Sequence, residues 1–178
     1  MQRILVAGIG NMFLSDDGFG SEVARRLLAQ AYPASPQTEV RTVDYGIRGT
    51  HLAFDLLDGW DALILIDAIP SHGAPGTVRL VQVDTENAGA PLFASQFDAH
   101  GMDPQSMLAG VTALGGQLPA TYVVGCEVST VEDGIGLSEA VAGSVARGCE
   151  VVRELVGHLT SCRALSTSAG PSPAPEVS

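Results

Sequence analysis

Residues 3–20 read RILVAGIGNMFLSDDGFG. The run RILVA at 3–7 is continuously apolar after its arginine and stops at Gly8, the pattern of a strand buried on both faces of a sheet. Phe19, Val23, Leu27, Leu28 and Ala31 then recur at helical spacing, which predicts a helix over 19–31. Ser15 is a candidate cap for that helix, with Asp16 and Asp17 in its first turn. Strand, glycine-rich loop and helix in this order open a βαβ unit, and a fold with helices covering both faces of a parallel sheet.

The alternation continues downstream. EVRTV at 39–43 predicts a second strand, and Thr50 opens a short helix through Leu57 with Leu52, Leu56 and Leu57 on one side. ALILI at 62–66 is a third buried strand. TVRLVQV at 77–83 alternates apolar with polar, as a strand near a sheet edge does. Asp103-Pro104 is a helix opening, with an acid before proline at the first helical position, and Gly115-Gly116 marks its end. ATYVVGC at 120–126 is the last strand, followed by a helix carrying Leu137, Val141, Val145, Cys149, Val152 and Val156 on one stripe. Residues 1–159 are expected to form one α/β domain, a three-layer sandwich around a mostly parallel sheet. Residues 160–178, rich in Ser, Ala and Pro, are expected to form a disordered tail.

Composition narrows the function. The 178 residues carry 20 Asp and Glu against nine Arg and no Lys, a formal net charge of −11. Phosphate-rich partners need clustered basic residues, so nucleic acid and anionic membrane surfaces are disfavoured. Mechanisms that need a catalytic amine or a P-loop lysine are excluded. Three cysteines, at 126, 149 and 162, form no CxxC pair and read as free thiols. The longest apolar stretch, 62–69, is cut by Asp67 and far too short to span a bilayer. A cytoplasmic protein is expected.

Doubly wound sheets bind ligands beyond the carboxyl ends of their strands, where strand order reverses. With the first strand between the second and third, that crevice lies between the loops at 8–17 and 67–76. Gly8-x-Gly10 after a strand suggests a dinucleotide site with Asp44 as its ribose acid. Phe13, however, stands where a third glycine belongs, and two carboxylates would repel a pyrophosphate at the helix N-terminus. A cation suits the loop better. Asp17 or Asp16, Asp67 after the third strand, and His100 before the Asp103 helix all belong to loops at this edge. Two carboxylates and an imidazole suit a divalent transition ion. The ordinary alternatives are a helix-dipole role for one acid of the Asp16/Asp17 pair, a turn-forming role for Asp67, and a surface role for His100. His72, in the loop after Asp67, is either a substitute ligand or ordinary polar surface. Cys126 within a buried strand would be an inert thiol.

The segment ILVAGIGNMFLSDDGFG resembles the G-x-G-N-x4-D-[DE]-x2-G signature of the hydrogenase maturation endopeptidases. DYGIRGTHLAFDLL, LILIDAIPSHGAPGTVRL and GLSEAV agree in order, so the resemblance spans residues 3–157. It implies a largely parallel five-stranded sheet and a monomer that removes a C-terminal peptide from the precursor of a nickel–iron hydrogenase large subunit after nickel insertion. It also implies that Asp17, Asp67 and His100 are the metal-contacting and catalytic residues, and that the nickel is supplied by the precursor. Two segments depart from the family pattern: Phe97-Asp98-Ala99-His100-Gly101-Met102 around the histidine, and Gly125-Cys126-Glu127-Val128 where relatives frequently read Gly-x-x-Pro. Two other readings use the same fold: a nickel-sensing adaptor that binds the precursor without cutting it, and a nucleotide-binding oxidoreductase.

Overall fold

The computed structural model describes residues 1–30, 32, 36–71, 73–83, 104–128 and 131–168. Five strands, β1 (Gln2–Ile9), β2 (Thr38–Gly46), β3 (Ala62–Pro70), β4 (Val78–Val83) and β5 (Ala120–Val128), form one sheet in the order β2-β1-β3-β5-β4. β1 pairs in parallel with β2 and β3, β3 in parallel with β5, and only β4 runs antiparallel, at an edge. β1 therefore lies between β2 and β3, and the strand order reverses at its carboxyl end, the arrangement that makes a crevice there.

Strand alternation builds the layers. Ile4, Val6, Ile64, Ile66 and Val124 point to one face, where they pack with Phe19, Val23 and Leu27 of α1 (Phe19–Leu28) and Val141, Val145 and Val152 of α4 (Glu139–Ser168). Leu5, Ala7, Leu63, Leu65 and Val123 point to the other, against Leu52 and Leu56 of α2 (Gly49–Leu56) and Leu108 and Val111 of α3 (Pro104–Ala113). Burial of both faces is why β1 and β3 read as unbroken apolar runs. The result is the three-layer sandwich expected from the sequence.

Several expectations need correction. α1 ends at Leu28, which is exposed and not part of the apolar stripe. Ser15 does not cap it; a separate 3-10 turn over Ser15–Gly18 intervenes and Gly18 takes the cap position without a side-chain bond. β3 continues to Pro70, past the expected end at 66, because β5 goes on pairing with it after β1 has stopped at Ile66. α4 continues to Ser168, so residues 160–168 of the expected tail are helical; 169–178 lie outside the described residues.

Two glycines let α1 sit directly on the sheet. A Cβ on Gly20 would fall 2.1 Å from the Ile66 carbonyl oxygen and 2.2 Å from that of Ile9, and one on Gly8 would fall 2.4 Å from the Gly20 carbonyl oxygen. Any side chain at either position would push the first turn of α1 off the ends of β1 and β3, taking the acid-bearing turn with it.

Candidate active site

The loop from β1 to the 3-10 turn closes tightly on itself. Gly10 has φ +131°, and a Cβ there would lie 1.9 Å from the Asp17 carbonyl oxygen, so only glycine fits. The Asn11 N–H donates to Asp17 Oδ2 at 2.6 Å, and the Asn11 side-chain oxygen accepts from Phe13 N–H at 3.0 Å. The turn thus occupies the space beside Gly10, and its carboxylate takes the Asn11 amide that a bound phosphate would need. Asp44 is also committed, accepting from Gly46 N–H at 3.1 Å and pairing with Arg25 at 3.3 Å. These contacts remove the basis for a dinucleotide site.

Asp16 and Asp17 are both buried but serve different partners. Asp16 accepts from the Ser138 N–H at 2.6 Å and the Ser138 hydroxyl at 2.9 Å, and Ser138 Oγ in turn accepts from Val141 N–H at the start of α4. Asp16 therefore has the dipole-complementing role, but at the N-terminus of α4 and not of its own helix. Asp17 instead accepts within its own loop, from the Asn11 N–H, and its charge acts on Asp67. Ser15, between them and Leu14, holds a left-handed φ of +47°, unusual for a non-glycine residue. It is pinned by its N–H to the Gly134 carbonyl (2.9 Å) and its hydroxyl to the Glu132 carbonyl (3.0 Å). Strain at this turn is held by the β5–α4 connection.

Asp67 lies in β3 one residue past the last pairing with β1, opposite Gly125 of β5. Alternation puts it on the face of Leu63, Leu65 and Ile69, the face covered by α2 and α3. Its Oδ1 accepts the Ala68 N–H at 2.8 Å. Burial pushes its pKa well above the ordinary aspartate value, the nearby Asp17 charge pushes it further the same way, and the Ala68 bond opposes both. Two acids expected from the sequence are thus near enough at the carboxyl ends of β1 and β3 for the charge of Asp17 to act on Asp67.

His100 and His72 lie outside the described residues, and among the described residues no group of three His, Cys, Asp or Glu is placed to hold a metal ion. Asp17 and Asp67 are two carboxylates, a donor type that divalent ions accept. His51 on α2 and His158 on α4 are both solvent-exposed. Cys126 is buried, its sulfur 3.2 Å from Ser144 Oγ, and burial pushes the thiol pKa up. It is the inert thiol expected.

Glu127 was not anticipated from sequence. It is fully buried on β5, and its carboxylate accepts from Gly73 N–H (2.8 Å), from the Ser71 hydroxyl (3.2 Å) and from the Arg79 guanidinium. Its main chain exchanges bonds with Gly76 N–H (2.8 Å) and the Thr77 carbonyl (2.9 Å). Glu127 therefore ties the β3–β4 connection, the wall downstream of Asp67, to β5. The one sequence signal was a charge in an otherwise apolar strand.

Comparison with known proteins identifies the family. The model of the hydrogenase maturation protease family matches residues 22–155, which include Asp67 and begin after Asp17. The chain is 34% identical over 157 residues to the hydrogenase expression/formation protein HupD of Rhodobacter capsulatus, covering 86% of this chain and 71% of that one. It is 30% identical over 151 residues to the hydrogenase 2 maturation protease of Escherichia coli K12, covering 84% and 88%. The solved structure of the hydrogenase maturating endopeptidase HybD from Escherichia coli superposes with a TM-score of 0.66 at 29% identity, over 85% of this chain and 90% of that one. By fold, strand order and sequence, the chain belongs to the hydrogenase maturation proteases, a family of peptidases.

Proposed function

We propose that the protein removes the C-terminal peptide from the precursor of a nickel–iron hydrogenase large subunit once nickel has been inserted, with Asp17, Asp67 and His100 meeting the nickel that the precursor carries. The observation that supports this is the apposition of Asp17 and Asp67: burial and like charge both disfavour Asp67 as a carboxylate, and a cation arriving with the substrate relieves both. Nickel then acts as a feature of the substrate. Precursor without it would desolvate two like charges and gain nothing, which makes loading a condition for cleavage.

In the docked complex the scissile bond lies beside the acid pair. Water would attack its carbonyl carbon, the cation would supply charge stabilisation for the carbonyl oxygen, and the C–N bond would break as the departing amine takes the proton that the water gives up. Asp17, fixed by the Asn11 N–H, and Asp67, fixed by the Ala68 N–H, orient the cation. We place the protein in the cytoplasm as a monomer, in keeping with a chain in which no described helix is long and apolar enough to cross a membrane.

The test is purified protein with nickel-loaded precursor, read by mass spectrometry. A product shortened at the C-terminus is expected. Binding without shortening would instead make the protein a nickel-sensing adaptor.

A further inference from the structure

Met12, Phe13, Ile47 and Ile135 stand 43, 62, 69 and 81% exposed, and all four lie on connections that leave the carboxyl edge of the sheet beside Asp17. Single exposed apolar side chains are ordinary; a set of them on ordered loops around one crevice marks an interaction surface. We propose that this rim docks the precursor, and that the docked segment presents apolar anchors together with basic side chains. The proposal rests on the proteolytic reading above.

The rim is built rigidly. Leu14 and Gly134 form a parallel bridge, with Gly134 N–H donating to the Phe13 carbonyl and Ser15 N–H to the Gly134 carbonyl, each at 2.9 Å. Phe13 and Ile135 are therefore carried by two paired segments. Met12 packs by its Cα over Gly18, within 3.2 Å of where a Cβ would be. Arg25 reaches both Met12 Sδ (3.9 Å) and Asp44 (3.3 Å), joining this loop to the β2–α2 connection. Ile47 follows Gly46, whose carbonyl accepts the Gly10 N–H at 3.0 Å. A surface ordered before its partner arrives loses little conformational entropy on binding. The same Asn11 amide that holds Asp17 starts the loop bearing Met12 and Phe13, so a segment seated on the rim is contiguous with the acid pair.

Charge selects the occupant. Glu132 and Asp133, both exposed, immediately precede Gly134 and Ile135. The arginines nearest the rim are exposed but engaged locally: Arg25 pairs with Asp44 and Glu22, and Arg48 donates to the Tyr45 and Asp44 carbonyls. With a net charge of −11 on the whole chain, an acidic segment would be repelled and a basic one drawn in.

The experiment measures the affinity of nickel-loaded large-subunit precursor from the same organism for wild-type protein and two variants, with cleavage followed separately. In Phe13→Ser/Ile135→Ser both residues are already exposed, and thermal unfolding checks that the fold is kept. Affinity should fall about tenfold or more, while Phe54→Ser, an equally exposed phenylalanine on the outer face of α2, should leave it unchanged. Glu132→Gln/Asp133→Asn should weaken binding several-fold at low salt and flatten its salt dependence. Wild-type affinity in the Phe13/Ile135 variant, or no precursor binding by the wild-type protein, overturns the docking surface. Unchanged salt dependence in the Glu132/Asp133 variant overturns the basic partner. Binding that follows these expectations without any cleavage leaves the docking surface standing and removes the proteolytic reading.

Discussion

Two acids at the carboxyl edge of the sheet, buried Glu127 and partly buried Asp67, sit on neighbouring strands in opposite circumstances. Glu127 is fully buried and surrounded by donors: the Arg79 guanidinium, the Gly73 amide and the Ser71 hydroxyl. Asp67 receives the Ala68 N–H and faces the charge of Asp17. The adjacent Asp16 and Asp17 also differ in their partners, Asp16 accepting from Ser138 at the start of α4 and Asp17 from Asn11 in its own loop. Where an acid holds the fold together the chain supplies its counter-donors locally. In the function we propose, Asp17 and Asp67 are the acids placed near one another, and the cation they meet comes with the substrate. Glu127 and Asp16 are therefore features of the fold, and in the proposed function the pair between them meets the substrate.

The sharpest way to break this comparison is the neighbouring pair. Asp17→Asn should lower cleavage of nickel-loaded precursor by about a hundred- to a thousandfold, whereas Asp16→Asn should retain most of it; equal losses would erase the distinction between the two acids. Glu127→Ala should act on stability, leaving the Ser71 and Gly73 donors without their acceptor at a cost of about 1–3 kcal/mol, read as a lower urea midpoint with an unchanged slope. Asp16→Ala removes an anchor at the α4 N-terminus and should cost about 0.5–2 kcal/mol in the same measurement.

The smallest effect is a matter of pH. An aspartate whose pKa is raised in the folded state binds its proton more tightly there than in the unfolded chain. Its favourable contribution is complete below the ordinary aspartate value and is lost as pH rises through the raised folded value. Asp67→Asn, which cannot ionise, escapes that loss. Its melting temperature should exceed that of the wild-type protein at pH 7, and the gap should close as pH falls toward 4. A gap that widens on acidification would mean that Asp67 is stabilised as a carboxylate, as Glu127 is by Arg79.

Much of this arrangement was legible in the chain. The unbroken runs at 3–7 and 62–66 announced strands buried on both faces, and the alternation in 77–83 announced the edge strand β4. That placed the crevice at the β1 and β3 loops, with the Asp16/Asp17 pair and Asp67 beside it, because the carboxyl end of a parallel strand is fixed by chain direction alone. What sequence could not resolve depends on partners distant along the chain. Which of Asp16 and Asp17 anchors α4 is decided by Ser138, 122 positions away, through a 3-10 turn that points consecutive side chains in different directions. The extension of β3 to Pro70 exists only because β5 pairs with it. Glu127 gave only a charge in an apolar run, and the loop it clamps carries no signal of its own.

The central claim is that the Asp17–Asp67 pair reads a cation carried by the substrate. The most direct measurement compares nickel-loaded with nickel-free precursor, each incubated with wild-type protein and with Asp67→Asn, and reads the mass of the large subunit. The account predicts a shortened subunit only for loaded precursor with wild-type protein. Cleavage of nickel-free precursor by the wild-type protein, or of loaded precursor by Asp67→Asn at the wild-type rate, would contradict it.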